Sequence, residues 1–497
     1  MFFKKSIVMY LAKKNEKTVR SWSQNSILNQ KKLFKKLMFG LTKTEFGKDI
    51  GVNKEVGVEE FREKCTIKSY EDFSSYIKKI SFGEKNVLWP GVPLYFAKSS
   101  GTTSGAKYIP LTKEMLDHQI KSSKEALLLY AYKTKKYEAI NGKMMFIQGS
   151  PLLTKHNVIN TGRLSGIVAN HIPFFLKSNR LPSRKTNIIT NWEEKLDKII
   201  NETIGVDLRL IGGIPPWVIM YFQKILDRTK EKTILNVFPN LSLYIHGGVN
   251  FSPYKKTLKD ILPKADFLEF FPASEGFFGY QDDIEKNGLL LLTDHGVFYE
   301  FIEVDQFLNN NHKRLCLEEV ELNKNYVLIL STVAGLWSYN IGDTIKFINL
   351  DPFRIVVTGR IKHFISAFGE HVIGKEVESA LENSIDKFGG KVLAFTVCPK
   401  IKPKVGLPHH EWFIEFGEKP KKFHEFCVHL DSVVRKQNIY YNDLVKDRVL
   451  KPLVVNCVKV GGFSKYMDSI GKLGGQNKCP SLSNDRKIGD FLNEYVI

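Results

Sequence analysis

Four short strand-like runs, at residues 144–148, 206–211, 241–246 and 267–271, are separated by stretches of helical patterning. Each run has the length of a buried strand and is too short for a self-sufficient helix. Strands of this kind need helices to cover their sheet, so the alternation predicts α/β layering. From residue 288 to 357 strand signals follow one another closely, at 289–293, 298–303, 326–332, 344–348 and 354–358. After Gly359 and Arg360 the pattern shifts again, to a helix at 376–387, strands at 392–397 and 412–416, and a second helix at 421–436. The spacing therefore predicts a large N-terminal domain, residues 1–361, of mixed sheets and helices. A smaller α+β domain, residues 362–497, comes after it.

Near the N-terminus, residues 1–80 read as helical. Lys4 and Lys5 precede a short apolar run, as in a signal peptide, but Lys13 and Lys14 stand where a small-residue cleavage site belongs. An amphipathic first helix is the better expectation. A further helix should run from an N-cap at Thr112 to about Lys133, with Met115, Ile120, Ala126, Leu127 and Tyr130 at helical spacing.

Several classes of protein are excluded early. No stretch supplies the roughly 18 uncharged apolar residues of a membrane span. Aromatic residues at 12% give the chain ample surface to bury, which excludes wholesale disorder. The six cysteines, at 65, 316, 398, 427, 457 and 479, form no C-x-x-C pair and no regular spacing. They fit reduced thiols in a cytoplasmic protein, not a disulfide framework or a zinc site. The net charge of +20 invites a nucleic-acid reading. Yet only 13 of the 73 basic residues are Arg, and the lysines are spread along the chain. Nucleic-acid clamps favour the planar fork of Arg, so a solvated basic surface explains the charge without a dedicated nucleic-acid partner.

Five motifs carry possible chemistry. The first, S-S-G-T-T-S-G-A-K-Y-I-P at 99–110, packs hydroxyls and two glycines between a strand and a helix. Glycines let backbone N–H groups close around phosphate oxygens, and Lys107 adds a point charge. It is not the Walker pattern, and composition alone favours a polar surface loop. The second, F-F-P-A-S-E-G-F-F-G-Y at 270–280, sets Glu275 among apolar residues just after a strand. Such an acid is either a hydrogen-bonded structural group or a metal holder. The third, Y-N-I-G-D at 339–343, ends in Asp343 at a predicted strand start. The fourth begins at Gly359-Arg360. An Asp and an Arg so placed could hold a ribose diol, although G-D is more often a turn. The fifth, G-G-Q-N-K-C-P at 474–480, presents Lys478 on a glycine-rich loop, where a solvated lysine is the default.

In order and spacing these motifs resemble the adenylate-forming superfamily. In detail they are similar to one branch of it, the auxin-responsive Gretchen Hagen family of acyl-acid amido synthetases. S-S-G-T-T-S-G-x-K-x-I-P is similar to that branch's phosphate loop, and Q-N-K-x-P to its C-terminal lysine loop. The resemblance spans about residues 90–480. It implies a large adenylate-forming domain succeeded by a mobile α+β domain that carries the adenylation lysine.

The resemblance also implies roles. Ser99, Ser100, Gly101, Thr102, Thr103, Ser104, Gly105 and Lys107 would grip the β- and γ-phosphates of ATP. Gly247, Gly248 and Val249, after His246, would lie along the adenine, with Ala273 and Ser274 completing the wall. Glu275 would hold Mg²⁺. Asp343 and Arg360 would contact the ribose, Lys362 would lie at the hinge, and Lys478 would bridge the substrate carboxylate and the α-phosphate. Two positions depart from the family: Asn340 and Ser481 stand where Arg is common. The expected activity is ATP-dependent adenylation of a small carboxylic acid, then acyl transfer to an amine, in particular an amino acid. An acyl-CoA synthetase shares the first step, and a basic nucleic-acid-binding protein is the alternative from another class. The acyl pocket would draw on 149–175 and 212–221, which core packing explains equally well, and His171 reads as a satisfied structural histidine. The Lys-, Phe- and Ile-rich composition points to a bacterial source.

Overall fold

The computed structural model describes residues 2–100, 106–171, 179–189, 191–248, 251–361, 364–365, 372–401, 403–446, 449–473, 478–483 and 485–497. Gly101, Thr102, Thr103, Ser104, Gly105, Val249, Lys362 and the stretch 474–477 therefore lie outside the described residues. The chain forms two compact units. One comprises Met1–Gly212, Asn240–Gly248 and Asp266–Val357; the other comprises Gly213–Pro239, Val249–Ala265 and Thr358–Ile497.

The first unit holds two sheets. The smaller has β1 (Tyr95–Ser100), β2 (Ala106–Leu111), β4 (Thr154–His156) and β5 (Ile159–Gly162), in the order β2-β1-β5-β4. The Ser/Thr/Gly cluster was expected between a strand and a helix. Instead it joins two antiparallel strands, and Lys107 sits on the second of them, opposite Ser99. Pro110 masks this strand in the sequence, since proline disfavours strand interiors. It is tolerated because β2 is an edge strand, while Ile109 and Leu111 are fully buried.

The larger sheet has eleven strands among the described residues: β3 (Lys143–Phe146), β6 (Arg180–Leu181), β7 (Leu208–Gly212), β8 (Leu243–Gly247), β9 (Asp266–Pro272), β10 (Phe277–Tyr280), β11 (Leu289–Leu291), β12 (Val297–Glu303), β13 (Asn325–Thr332), β14 (Tyr339–Leu350) and β15 (Phe353–Arg360). Their order is β12-β13-β14-β15-β11-β10-β9-β8-β7-β3-β6. The β9-β8-β7-β3-β6 half is parallel. Beyond β9 the sheet turns antiparallel, through β10, β11 and the β12-β13-β14 meander. The four strand-like runs of the sequence are β3, β7, β8 and β9. A parallel arrangement places their carboxyl ends along one edge, where open α/β sheets bind ligands.

Helix Lys113–Thr134 starts as expected, the Thr112 hydroxyl accepting from the Met115 N–H at 3.2 Å. The N-terminal helix expected in place of a signal peptide runs Phe2–Gln24 and buries Val19 and Trp22. The main core gathers Phe34, Phe61, Phe298, Tyr326, Trp337 and Phe347 with many aliphatic residues.

In the second unit β18 (Lys391–Lys400) pairs antiparallel with β19 (His409–Glu418), and β20 (Val454–Val458) joins β19 in parallel. Helices Gly374–Phe388 and Phe423–Gln437 answer the two predicted there. A two-stranded ladder, β16 (Phe364–Ile365) with β17 (Val372–Ile373), precedes them. No helix among the described residues is long and apolar enough to cross a membrane.

Candidate active site

Three of the five motifs lie within the first unit, and the first and third of them touch. The Lys107 ammonium on β2 lies 3.5 Å from the hydroxyl of Tyr339, the first residue of the third motif. It also stands over the Tyr70 ring, 5.4 Å from its centroid. The Tyr70 hydroxyl in turn accepts from the Tyr108 N–H at 2.9 Å, which anchors the root of the hairpin. Tyr339 is buried, held by a bridge to Lys68 and a tilted contact with Phe73.

Asp343 was expected at a strand start, with a turn as the alternative. It lies instead inside β14, at an irregularity in the β13–β14 ladder. Val327 faces Thr344 and Ile329 faces Asn340, so Ile341, Gly342 and Asp343 together oppose Leu328. Such a bulge re-aims side chains. Gly342 makes it possible with φ of 84°, a backbone that side-chain-bearing residues rarely adopt. The Asn340 side-chain oxygen accepts from the Gly342 N–H at 2.8 Å. Asp343 is 6% exposed.

Glu275 sits in the tight turn between β9 and β10, and is buried. The turn closes on itself: the Ala273 N–H donates to the Gly276 carbonyl at 2.8 Å, and the Gly276 N–H returns a bond at 3.3 Å. Helix Lys113–Thr134 pins it from outside, through Gln119 Nε2 donating to the Ala273 carbonyl at 2.9 Å. The helix next in the chain after the Ser/Thr/Gly hairpin thus also fixes the Ala273-Ser274-Glu275 turn. Gln119 drew no notice in the sequence; as a polar residue on a buried helical face it was the available signal.

His246 and Gly247 end β8, the strand beside β9. A Cβ on Gly247 would lie 2.2 Å from the Phe270 carbonyl oxygen, so only glycine lets the strands approach. Gly248 comes next with φ of 76°. His246 is buried, and desolvation pulls its imidazole down to about 3, so it is neutral at physiological pH. Its register partner is Glu269, whose carboxyl burial pushes up to about 7. The sequence gives no sign of Glu269, because nothing marks a strand carboxylate as desolvated. His171 is exposed, and its Nε2 lies 2.9 Å from the Tyr95 hydroxyl.

Arg360 and Lys478 belong to the second unit. Arg360 ends β15 and is partly buried. Lys478 is exposed, whereas residues 479–483 are firmly tied down. Leu482 bridges to Val397 of β18 in parallel fashion, with Val397 N–H to Ser481 carbonyl at 3.0 Å and Ser483 N–H to Val397 carbonyl at 2.9 Å. Cys479 packs against the cluster of Phe413, Val458, Phe463, Ile488 and Leu492, and burial raises its thiol far above the ordinary range.

The model of the GH3 family N-terminal domain matches residues 16–158 and 153–267, that of the central domain 290–360, and that of the C-terminal domain 375–487. The chain belongs to the GH3 family. Indole-3-acetic acid-amido synthetase GH3.3 of Arabidopsis thaliana is 21% identical to this GH3 chain, over 96% of it and 93% of the relative. Jasmonoyl-L-amino acid synthetase GH3.5 of Oryza sativa subsp. japonica is also 21% identical, over 94% of each. Among solved structures, a GH3.15 acyl acid amido synthetase superposes with a TM-score of 0.79 at 16% identity, covering 97% of this chain and 96% of the other. A 2-hydroxyisobutyryl-CoA ligase in its postadenylation state shares the fold more loosely, with a TM-score of 0.57 at 10% identity over 96% and 91% of the two chains. The fold is the mixed α/β architecture of GH3 enzymes and adenylate-forming ligases.

Proposed function

We propose that this GH3 chain is an ATP-dependent ligase that activates a carboxylic acid as its acyl-adenylate and passes the acyl group to the amine of an amino acid. One observation carries the reading: Lys107 approaches Tyr339 of the Asp343 strand, while Gln119 of the next helix holds the Glu275 turn. Three separated motifs are thereby drawn into one unit, as a single nucleotide would require.

A carboxylate is a poor electrophile, and its charge repels the triphosphate it must attack. Ser99, Ser100 and the hydroxyls and amides of the next few residues hold the β- and γ-phosphates, and Lys107 offsets their charge. His246 to Gly248, with Ala273 and Ser274, form the wall for the base, and Asp343 accepts from the ribose diol, with Arg360 as its companion. The acid's oxygen attacks the α-phosphorus, the bond to the β-phosphate oxygen breaks, and pyrophosphate leaves. Lys478 is assigned to the developing charge on the α-phosphate and the entering carboxylate in this step alone. The amine then attacks the acyl carbon, AMP departs with the electron pair, and the nitrogen gives up a proton.

No three His, Cys, Asp or Glu side chains gather as a metal cage among the described residues. A buried carboxylate nevertheless suits Mg²⁺ that arrives with the nucleotide, since Mg²⁺ commonly takes one or two carboxylates plus phosphate oxygens. Glu275 would be that carboxylate, and the ion would neutralise phosphate charge.

The test is pyrophosphate–ATP exchange across a panel of carboxylic acids. Exchange that depends on the acid supports the reading, and AMP release accelerated by amino acids but not by CoA completes it. Asp343→Ala should raise the ATP requirement about tenfold or more, the cost of a charge-assisted hydrogen bond. Unchanged nucleotide affinity would remove Asp343 from the site.

A further inference from the structure

Away from the nucleotide motifs, three basic side chains gather at the carboxyl end of β3. They come from three different elements. Arg180 on β6 lays its guanidinium over the Phe146 ring, 4.5 Å from the centroid. Lys195, on helix Trp192–Thr203, donates to the Gln148 carbonyl at 3.4 Å and to the Asn187 carbonyl at 3.0 Å. Arg163, just before helix Leu164–Asn170, runs its stem across Gly149, where a Cβ would lie 2.7 Å from the Arg163 Cδ. Phe146, Gln148 and Gly149 are near neighbours in sequence, so the three basic side chains all touch one short stretch of chain.

Lys195 is buried and Arg180 half-buried, and neither has a countercharge among the described residues. Lys195 is 4% exposed. Neither of the two makes an ion pair among the described residues, and the neighbouring stretches 172–178 and 190 contain no Asp or Glu. An ammonium has three donors, and Lys195 uses two of them among the described residues. Burial alone lowers all three groups, Arg180 to about 10 and Lys195 to about 8. A buried cation that keeps its charge needs an anion.

The place is informative. β3 lies in the parallel half of the sheet, three strands from β9, and its carboxyl end shares an edge with Gly247 and the Ala273–Glu275 turn. At the usual strand spacing that edge runs roughly 14 Å from the turn to β3. Resting on the ligase reading above, we infer that Arg163, Arg180 and Lys195 receive a second anionic group at the far end of the acid substrate, so that the chain selects dicarboxylic acids over neutral-tailed ones. The carboxylate to be activated lies toward the Glu275 turn, and the distal one pairs with the cations at β3.

The experiment compares dicarboxylic acids of graded chain length with their half-esters, which keep the length and lose one charge. Wild type should favour the diacid in acid-dependent pyrophosphate release. Lys195→Met and Arg180→Gln should each lose roughly thirty-fold or more on the diacid, the scale of an unpaired buried charge. The diacid-to-half-ester ratio should then fall to about one. A wild type that uses diacid and half-ester alike, or variants that lose both equally, would overturn the inference. Calorimetric titration of the same pair into nucleotide-free protein reads the anion site without turnover. Tighter diacid binding that Arg180→Gln abolishes supports the site even if no acid is adenylated, a result that would sink the ligase reading alone. Equal affinities for diacid and half-ester would sink the anion site alone.

Discussion

The Lys107 ammonium lies 3.5 Å from the Tyr339 hydroxyl, across 232 residues of chain. The contact ties the root of the Ser/Thr/Gly hairpin to the strand that carries Asp343. Lys107→Ala should lower acid-dependent pyrophosphate exchange by about 10²–10³, the usual cost of removing a preorganised charge stabiliser. Tyr339→Phe keeps the ring and its packing on Phe73, so its loss should be far smaller, and Lys107→Arg should rescue part of the activity. Equal losses in Lys107→Ala and Tyr339→Phe would mean that the pair acts through structure alone.

Gln119 couples the first helix of the nucleotide region to the Glu275 turn. Gln119→Leu preserves volume but leaves the half-buried Ala273 carbonyl with only its longer bond from the Gly276 N–H, at a cost of about 1 kcal/mol. Thermal unfolding should show that loss. The Mg²⁺ concentration for half-maximal exchange should rise as well, because the turn is no longer held. A variant with lowered stability and unchanged Mg²⁺ dependence would confine Gln119 to a packing role.

Glu269 makes a pH-dependent contribution with a definite sign. Its carboxyl is raised to about 7 in the folded chain, against an ordinary value near 4.3. Below pH ~4 it is protonated in both states and costs nothing. As pH rises through 7 the folded state must ionise a desolvated acid, and stability is lost. Glu269→Gln should therefore match wild type at low pH and exceed it by roughly 1–3 kcal/mol at pH 8, discounted for partial exposure. The difference between the two proteins isolates Glu269 from the opposing effect of His246, whose lowered value destabilises the fold as pH falls. Urea melts across that range read it directly, and a pH-independent difference would contradict it.

Lys478 should separate the two half-reactions. Lys478→Ala should abolish acid-dependent pyrophosphate exchange, yet a synthetic acyl-adenylate should still react with the amine acceptor. Because Lys478 is exposed and the chain after it is bonded to β18, the substitution should leave thermal stability within about 0.5 kcal/mol of wild type. Parallel loss of both half-reactions would contradict the assignment.

Local order in the sequence determined much of this protein. The four strand-like runs become β3, β7, β8 and β9, and Thr112 caps the helix it announces, because burial of a short apolar run and capping of a helix are decided by neighbours in the chain. The motif residues could be named for the same reason, since phosphate and metal chemistry restrict which side chains serve. What sequence could not decide depends on partners far along the chain. Whether Pro110 sits in a strand depends on β2 being an edge. Where Asp343 points depends on a bulge against β13. That Gln119 holds Ala273, and that Arg163, Arg180 and Lys195 crowd the end of β3, results from sheet order. Local pattern leaves sheet order open, because strand pairing is settled by the sum of many distant contacts.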